Sequence, residues 1–223
     1  MVGNSFLATY HPLVETVQGR RAAQSHGLPP FIDGSCRREP DFESRFPSIS
    51  ALCRKGKFAP RLHEDDRVAY LTIKYSYQND YEDGWRLVAI LQIIKRFASH
   101  EEAAAWYRDR GEPPPSNCLV AGNPPEDFKL TSGKLPSSVR KRLAGRWDDA
   151  LAVRLWDNSY RQRTAEWPVF LASEKLFLNL HNPPQLRQEN FLKIFGRIRV
   201  AQNPPRICQN ELERLLRFAT ALI

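Results

Sequence analysis

The chain has 223 residues, of which 42% are hydrophobic and 26% charged, a composition that excludes a largely disordered or low-complexity protein. Lys and Arg number 33 against 25 Asp and Glu, a formal charge of +8; a basic excess of this size attracts polyanions, nucleic acid first among them, or else reflects a plain Arg-rich surface. No stretch reaches the ~18 apolar residues of a membrane span and no basic-then-apolar leader opens the sequence, so a cytoplasmic protein without a membrane partner is expected.

In chain order, Ser5 to Tyr10 is a short apolar strand, stopped at His11-Pro12 because proline has no ladder donor. Leu13 to His26 is a short helix or an ordered loop, and Gly27 to Pro30 a turn. Residues 31–61 are the most unusual stretch: acids and bases crowd between short apolar pieces, with Gly34 and Pro40 bending the backbone. Loops of this kind sit on rigid scaffolds and often carry function. For Ser35, Cys36, Arg37, Arg38, Glu39 and Asp41 two readings stand side by side. They are ion pairs fastening a long loop, or a polar pocket in which Arg donates to a phosphate or base edge and Glu39 or Asp41 accepts from an exocyclic amine. Cys36 beside Arg37 and Arg38 is also a candidate nucleophile, although none of the scattered histidines is assignable as its base.

Asp65-Asp66 signals a turn. From Arg67 to Tyr77, Val68, Tyr70, Thr72 and Lys74 alternate with Ala69, Leu71, Ile73, Tyr75 and Tyr77, which is strand spacing. A polar hairpin interval from Asn79 to Gly84 leads into Trp85 to Phe97, so rich in Leu, Val and Ile that both faces should be covered, as in a central strand. Ser99 and Glu102 form a capping box for a short helix ended by Gly111 and Pro113 to Pro115.

Ser116 to Gly122 predicts a short strand, and Pro136 to Trp147 a helix bearing Arg140, Lys141, Arg142 and Arg146, continued by Asp148 to Tyr160. Basic residues interleaved with Trp147, Trp156 and Tyr160 suit a phosphate backbone with stacked bases, or an amphipathic helix whose aromatics pack inward. Pro168 to Leu180 is a bent strand or tight hairpin. Glu189 to Arg199 places Phe191, Leu192, Phe195 and Ile198 on helical spacing, and Asn210 caps a last amphipathic helix with Leu212, Leu215, Leu216, Ala219 and Leu222 inward.

Cys36, Cys53, Cys118 and Cys208 are far apart, without Cys-x-x-Cys spacing, so reduced thiols are expected and neither a metal nor a disulfide framework. No cofactor is expected, and Walker loop, Gly-x-Gly-x-x-Gly, Gly-x-Ser-x-Gly, His-Glu-x-x-His and the deaminase signature are all missing, which favours binding over these enzyme groups.

The succession Asp66 to Tyr70, Trp85 to Phe97 and Ser99 to Trp106 resembles the PUA-like superfold, with its EVE, YTH and ASCH members. Ser35 to Glu39 ahead of the acidic turn and Val169 to Phe177 late in the chain are more particularly similar to the nucleotide-modification-associated domains linked to DNA base hypermodification in prokaryotes and phages. The resemblance covers residues 5–200. Asp65 stands where many relatives have glycine, and the EVE pocket tryptophans have no counterpart here, so a methyl-base cage is not carried over.

The resemblance implies an α+β fold, a PUA-like partly closed mixed β-barrel with flanking helices; a boundary near residue 130 would leave the strand after Pro168 without sheet neighbours from the first half, so a single domain over residues 1–223 with a C-terminal helical elaboration is expected. It implies a modified or flipped base held in a cleft beside the first strand and lined by Ser35 to Asp41. Tyr10, Tyr75, Tyr77 and Trp85 are candidates for the stacking faces, unless they belong to the core; Arg38, Glu39 and Asp41 for the base edge; Arg37, Arg140, Lys141 and Arg142 for the phosphates. The expected function is a nucleic-acid-binding module, DNA-directed, without chemistry of its own. The alternatives are an enzyme using Glu39 or Asp41 as acid or base, and a protein-interaction domain docking through a helix.

Overall fold

The computed structural model describes residues 3–52, 54–77, 80–197 and 203–220. Cys53, Asn79, Ile198, Arg199 and Leu222, which figure in the sequence reading, lie outside these residues.

A mixed sheet organises the chain. β1 (Ser5–Tyr10) runs parallel to β3 (Arg67–Thr72), with Ser5 opposite Arg67 and Tyr10 opposite Thr72. β3 pairs antiparallel with β4 (Trp85–Phe97), and β4 with β5 (Phe170–Leu178). Two short strands form the edges: β2 (Ser48–Ser50) on β5 and β7 (Arg206–Ile207) on β1, while β6 (Gln185–Leu186) joins the start of β4. The order is β2-β5-β4-β3-β1-β7. Among the described residues no ladder joins β2 to β7, so the sheet is open where a partly closed barrel is expected; the α+β class holds.

Because β1 and β3 are parallel neighbours, the chain leaving Tyr10 must return to the opposite end before Arg67. That excursion carries α1 (Val17–His26) and β2 and spreads over one face of the sheet. Leu13, Phe31, Ile32, Phe42, Ile49, Phe58 and Leu62 from it pack on Phe6, Tyr10, Val68 and Tyr70. The opposite face is covered by α5 (Gln188–Phe195) and α6 (Gln209–Thr220), whose Phe191, Phe195, Leu212 and Leu215 meet Leu7, Leu71, Leu87 and Ile90. With both faces covered, β3 and β4 are apolar on each, as the residue pattern of β4 predicts.

α2 (His100–Arg108) starts where expected. Ser99 Oγ accepts from Glu102 N at 3.2 Å, and Glu102 Oε2 accepts from Ala98 N at 3.0 Å. β3 stops at Thr72, five residues early, because the register shifts at Tyr70/Leu71 and Thr72 Oγ1, not a backbone carbonyl, accepts from Arg86 N at 2.9 Å. Residues 168–180 give one strand bent by register shifts, the first of the two alternatives.

The expected strand at Ser116 to Gly122 is absent. Leu119 N donates to His100 Nδ1 at 3.0 Å and Cys118 N to Pro115 O at 2.9 Å, so side-chain and turn acceptors replace a ladder. The 136–147 helix is α3 (Ser137–Leu143), broken by left-handed Ala144 and Gly145; α4 (Asp149–Glu166) follows, capped by Asp148. α5 ends at left-handed Gly196. The last helix begins one residue before Asn210, since Glu211 Oε2 takes the N–H of Cys208 at 2.7 Å.

Candidate functional site

The end of β1, the crossover loop and the turn at Arg54–Gly56 enclose a cavity of about 310 Å³. Tyr10, Tyr70 and Phe58 give it aromatic walls, and Asp33, Glu39, Ser50, His11 and Arg54 its polar groups. Tyr10, Phe42 and Tyr70 pack edge to face, with centroids 5.2 to 6.3 Å apart. Tyr10 donates its hydroxyl to Phe31 O, and burial holds its pKa well above the usual phenol value.

Asp33 organises the loop. Its Oδ1 accepts from Ser35 N at 2.9 Å, Ser35 Oγ at 2.5 Å and Glu39 N at 3.0 Å, an Asx-type turn of the kind Asp-Gly-Ser encodes. Burial raises its pKa against these hydrogen bonds and the Arg38 charge. Glu39, followed by a cis bond to Pro40, reaches β2: Oε1 accepts from Ser50 N at 2.9 Å, and Oε2 meets Ser50 Oγ at 2.5 Å and Asn117 Nδ2 at 2.9 Å. Burial pushes it up to about 8, with the Asp33 charge adding to the shift, so near neutral pH a substantial fraction is protonated. The cavity thus holds two buried carboxyls in tension. Arg54 donates to Thr9 O, which pins the turn to the end of β1.

At the mouth, His11 Nδ1 lies 2.7 Å from Glu15 Oε2, and Lys134 Nζ donates to Glu15 Oε1 at 2.5 Å. Burial works against the Glu15 carboxylate, but the bonds from His11 and Lys134 hold its pKa below the ordinary value.

Of the residues singled out from sequence, Tyr10 and Glu39 line the cavity. Ser35 lies behind Asp33. Arg38, at φ 37, donates to Asp33 O and Leu130 O, each at 2.8 Å, and is 2% exposed; it braces the loop from behind and does not present itself to a base edge. Arg37 is fully buried: Nε donates to Asp157 at 2.6 Å and Nη1 to the carbonyls of Ser116 and Asn123. It is an internal strut, not a surface phosphate ligand.

Cys36 is buried under α3 and α4, with its pKa raised by burial and by the Asp157 charge, which removes the condition for a thiolate nucleophile. Asp41 turns away from Glu39. Its Oδ1 serves Glu43 N and Ser44 N, Oδ2 serves Ser116 N, and it borders a separate shallow depression. The acid that shares the cavity with Glu39 is Asp33. Tyr77 packs on Phe31 and donates to Ile73 O, with Tyr75 beside it, and neither lines the cavity. Trp85 is on the other face of the sheet, 4.6 Å from Phe191. Arg140, Lys141 and Arg142 are exposed on α3 and do not line the cavity.

Asp33, Ser50, Arg54, Tyr70 and His11 escaped the sequence reading. The Asp-x-Ser spacing is the one local signal that marks Asp33; Ser50 and Asn117 meet Glu39 across 11 and 78 positions, where the sequence carries no sign of the pairing. Among the described residues no group of His, Cys, Asp or Glu is arranged to hold a metal ion, and no helix is long and apolar enough to cross a membrane. The large exposed apolar side chains, such as Val17, Tyr81 and Leu192, sit on separate elements. Comparison with protein-family models, curated proteins and solved structures finds no match for this chain.

Proposed function

We propose that the protein is a nucleic-acid-binding module whose cavity receives one unstacked base, in the recognition or modification of DNA bases. The observation that carries this reading is the meeting of aromatic walls with Asp33, Glu39 and Arg54 in a space of about 310 Å³, at the small end of the ~300–1,000 Å³ range of ligand pockets. An extruded base needs such walls for its faces and such groups for its edge. Asp33 offers its carboxyl oxygen to an exocyclic amine, and protonated Glu39 donates to a ring nitrogen or carbonyl. The formal charge of +8 supplies the attraction for the strand. A mixed sheet with a pocket beside its first strand also supports the PUA-like resemblance, of the nucleotide-modification-associated kind.

The test is binding of oligonucleotides carrying 2-aminopurine or modified bases, against matched strands with an abasic site. Base extrusion should raise 2-aminopurine fluorescence. Asp33→Asn and Glu39→Gln should remove the preference among bases while general affinity persists. Equal affinity for abasic and intact strands, with no fluorescence change, overturns the reading.

An enzymatic reading draws on one further observation: two carboxyls with raised pKa share the cavity with His11, which Glu15 orients from the mouth. Groups poised in this way serve proton transfer on a bound nucleotide. Product formation whose pH profile follows Glu39 and is lost in Glu39→Gln would favour it over binding alone.

A further inference from the structure

Away from the base cavity, α1 and the start of α4 border an open groove of about 500 Å³, lined by Arg21, Ser25 and His26 on one side and Phe128, Lys129 and Trp147 on the other. Trp147 is unlike the other candidate aromatics of this region. Trp156 and Tyr160 are buried against the core, whereas Trp147 is 59% exposed in the short link between α3 and α4. Its orientation is nevertheless fixed. The indole Nε1 donates to Asp149 Oδ1 at 2.7 Å, and the ring meets Phe128 edge to face at 5.1 Å. An exposed indole held at its edge and at its nitrogen offers one open face without further ordering.

The charges around it are asymmetric. Among the described residues Arg21, which lines the groove, makes no ion pair, nor do Arg140, Lys141, Arg142 and Arg146, which are exposed on α3 and the link outside the groove's own lining. The nearby acids are already engaged: Asp149 by the indole, Asp148 by Leu151 N at 2.6 Å, Asp127 by Lys129 at 3.8 Å. Asp149 itself lines the groove and keeps its charge, but the cations Arg21, Lys129, Arg140, Lys141, Arg142 and Arg146 outnumber the acids Asp127, Asp148 and Asp149, and that excess near a fixed stacking face complements a polyanion that carries aromatic rings.

We infer that the groove between α1 and the α3–α4 link is a second nucleic-acid contact, which holds a single strand by stacking a base on Trp147 and pairing its phosphates with Arg21 and the cations of α3. A duplex keeps its bases stacked on each other, so the indole discriminates for single strands. The site needs none of the cavity's groups and stands whether or not the cavity receives a base.

The experiment is fluorescence anisotropy of a labelled oligo-dT strand and of a matched duplex, over a series of salt concentrations, with unfolding midpoints recorded for every variant. Trp147→Ala should weaken single-strand binding about tenfold, within the range for one lost base stack, and Trp147→Phe should restore most of it. Both variants should stay folded, with unfolding midpoints within a few degrees of the parent, since more than half of the side chain is exposed and its contacts are confined to Phe128 and Asp149. Arg140→Ala, Lys141→Ala and Arg142→Ala should each lower the slope of log affinity against log salt by about 0.7 where the cation meets a phosphate. Unchanged oligo-dT affinity in Trp147→Ala, or a duplex bound as tightly as the single strand with no effect of Trp147, overturns the inference.

Discussion

The backbone N–H of Glu39 donates to Asp33 Oδ1 at 3.0 Å, so one acid of the cavity fixes the chain position of the other. Ser35 N and Oγ bind the same oxygen, so Oδ1 carries all the hydrogen bonds that the Asp33 carboxyl makes among the described residues. Removing the carboxylate in Asp33→Ala strands the buried N–H of Glu39 and loosens the turn, at a cost of about 2–4 kcal/mol in urea unfolding. A change under ~0.5 kcal/mol would show that the turn holds without it.

Glu39 makes stability depend on pH with a definite sign. Its folded pKa of about 8 lies above the ordinary 4.5, so the native state binds more protons than the unfolded chain between these values. Stability from this group is complete below about pH 4.5 and is lost as pH rises through about 8, by on the order of 5 kcal/mol. Asp33, also raised, contributes in the same direction. Glu39→Gln should flatten the decline between pH 5 and 9; parallel profiles for variant and parent would contradict the assignment.

Arg37 and Asp157 form an ion pair buried on both sides. Arg37→Ala leaves Asp157 with Arg161 alone and frees two carbonyls, and should destabilise by about 3–5 kcal/mol. Replacing both partners with Met and Leu should recover much of that. A double-mutant cycle in urea measures the coupling, and additive losses would mean that the pair contributes nothing as a pair.

Gly34 has no room for a side chain. A Cβ there would lie 2.7 Å from Ser132 Cβ and 2.8 Å from its Oγ. Gly34→Ala should cost about 1–3 kcal/mol by pushing the loop off residue 132. Ser132→Gly removes the opposing atoms and should act as a suppressor; failure to restore melting temperature would place the strain elsewhere.

The elements whose signal is local were legible in the sequence. β4 declares itself by the apolar run Leu87 to Leu91 with Ile93 and Ile94 beyond it, and α2 by Ser99 and Glu102 at cap spacing. The loop at Asp33 to Asp41 stood out by its charge density, but the direction of each side chain did not. Arg37 and Arg38 turn inward because their acceptors are mainly backbone carbonyls at Ser116, Asn123 and Leu130, and a carbonyl leaves no trace in residue identity. The same holds for Ser116 to Gly122, whose apolar residues are core without being strand, because His100 supplies the acceptor that a ladder would have.

The parallel pairing of β1 with β3 sets the order in which the molecule matures. Hairpin contacts between β3 and β4 join neighbouring segments, whereas the crossover spans residues 11–66 and closes only when β2 has reached β5 at the far edge. Closure over such a distance carries the larger entropic barrier. In a refolding chain the β3–β4 hydrogen bonds should therefore be protected from exchange ahead of those that join β1 to β3 and β2 to β5, and the last of these marks the arrival of the native state.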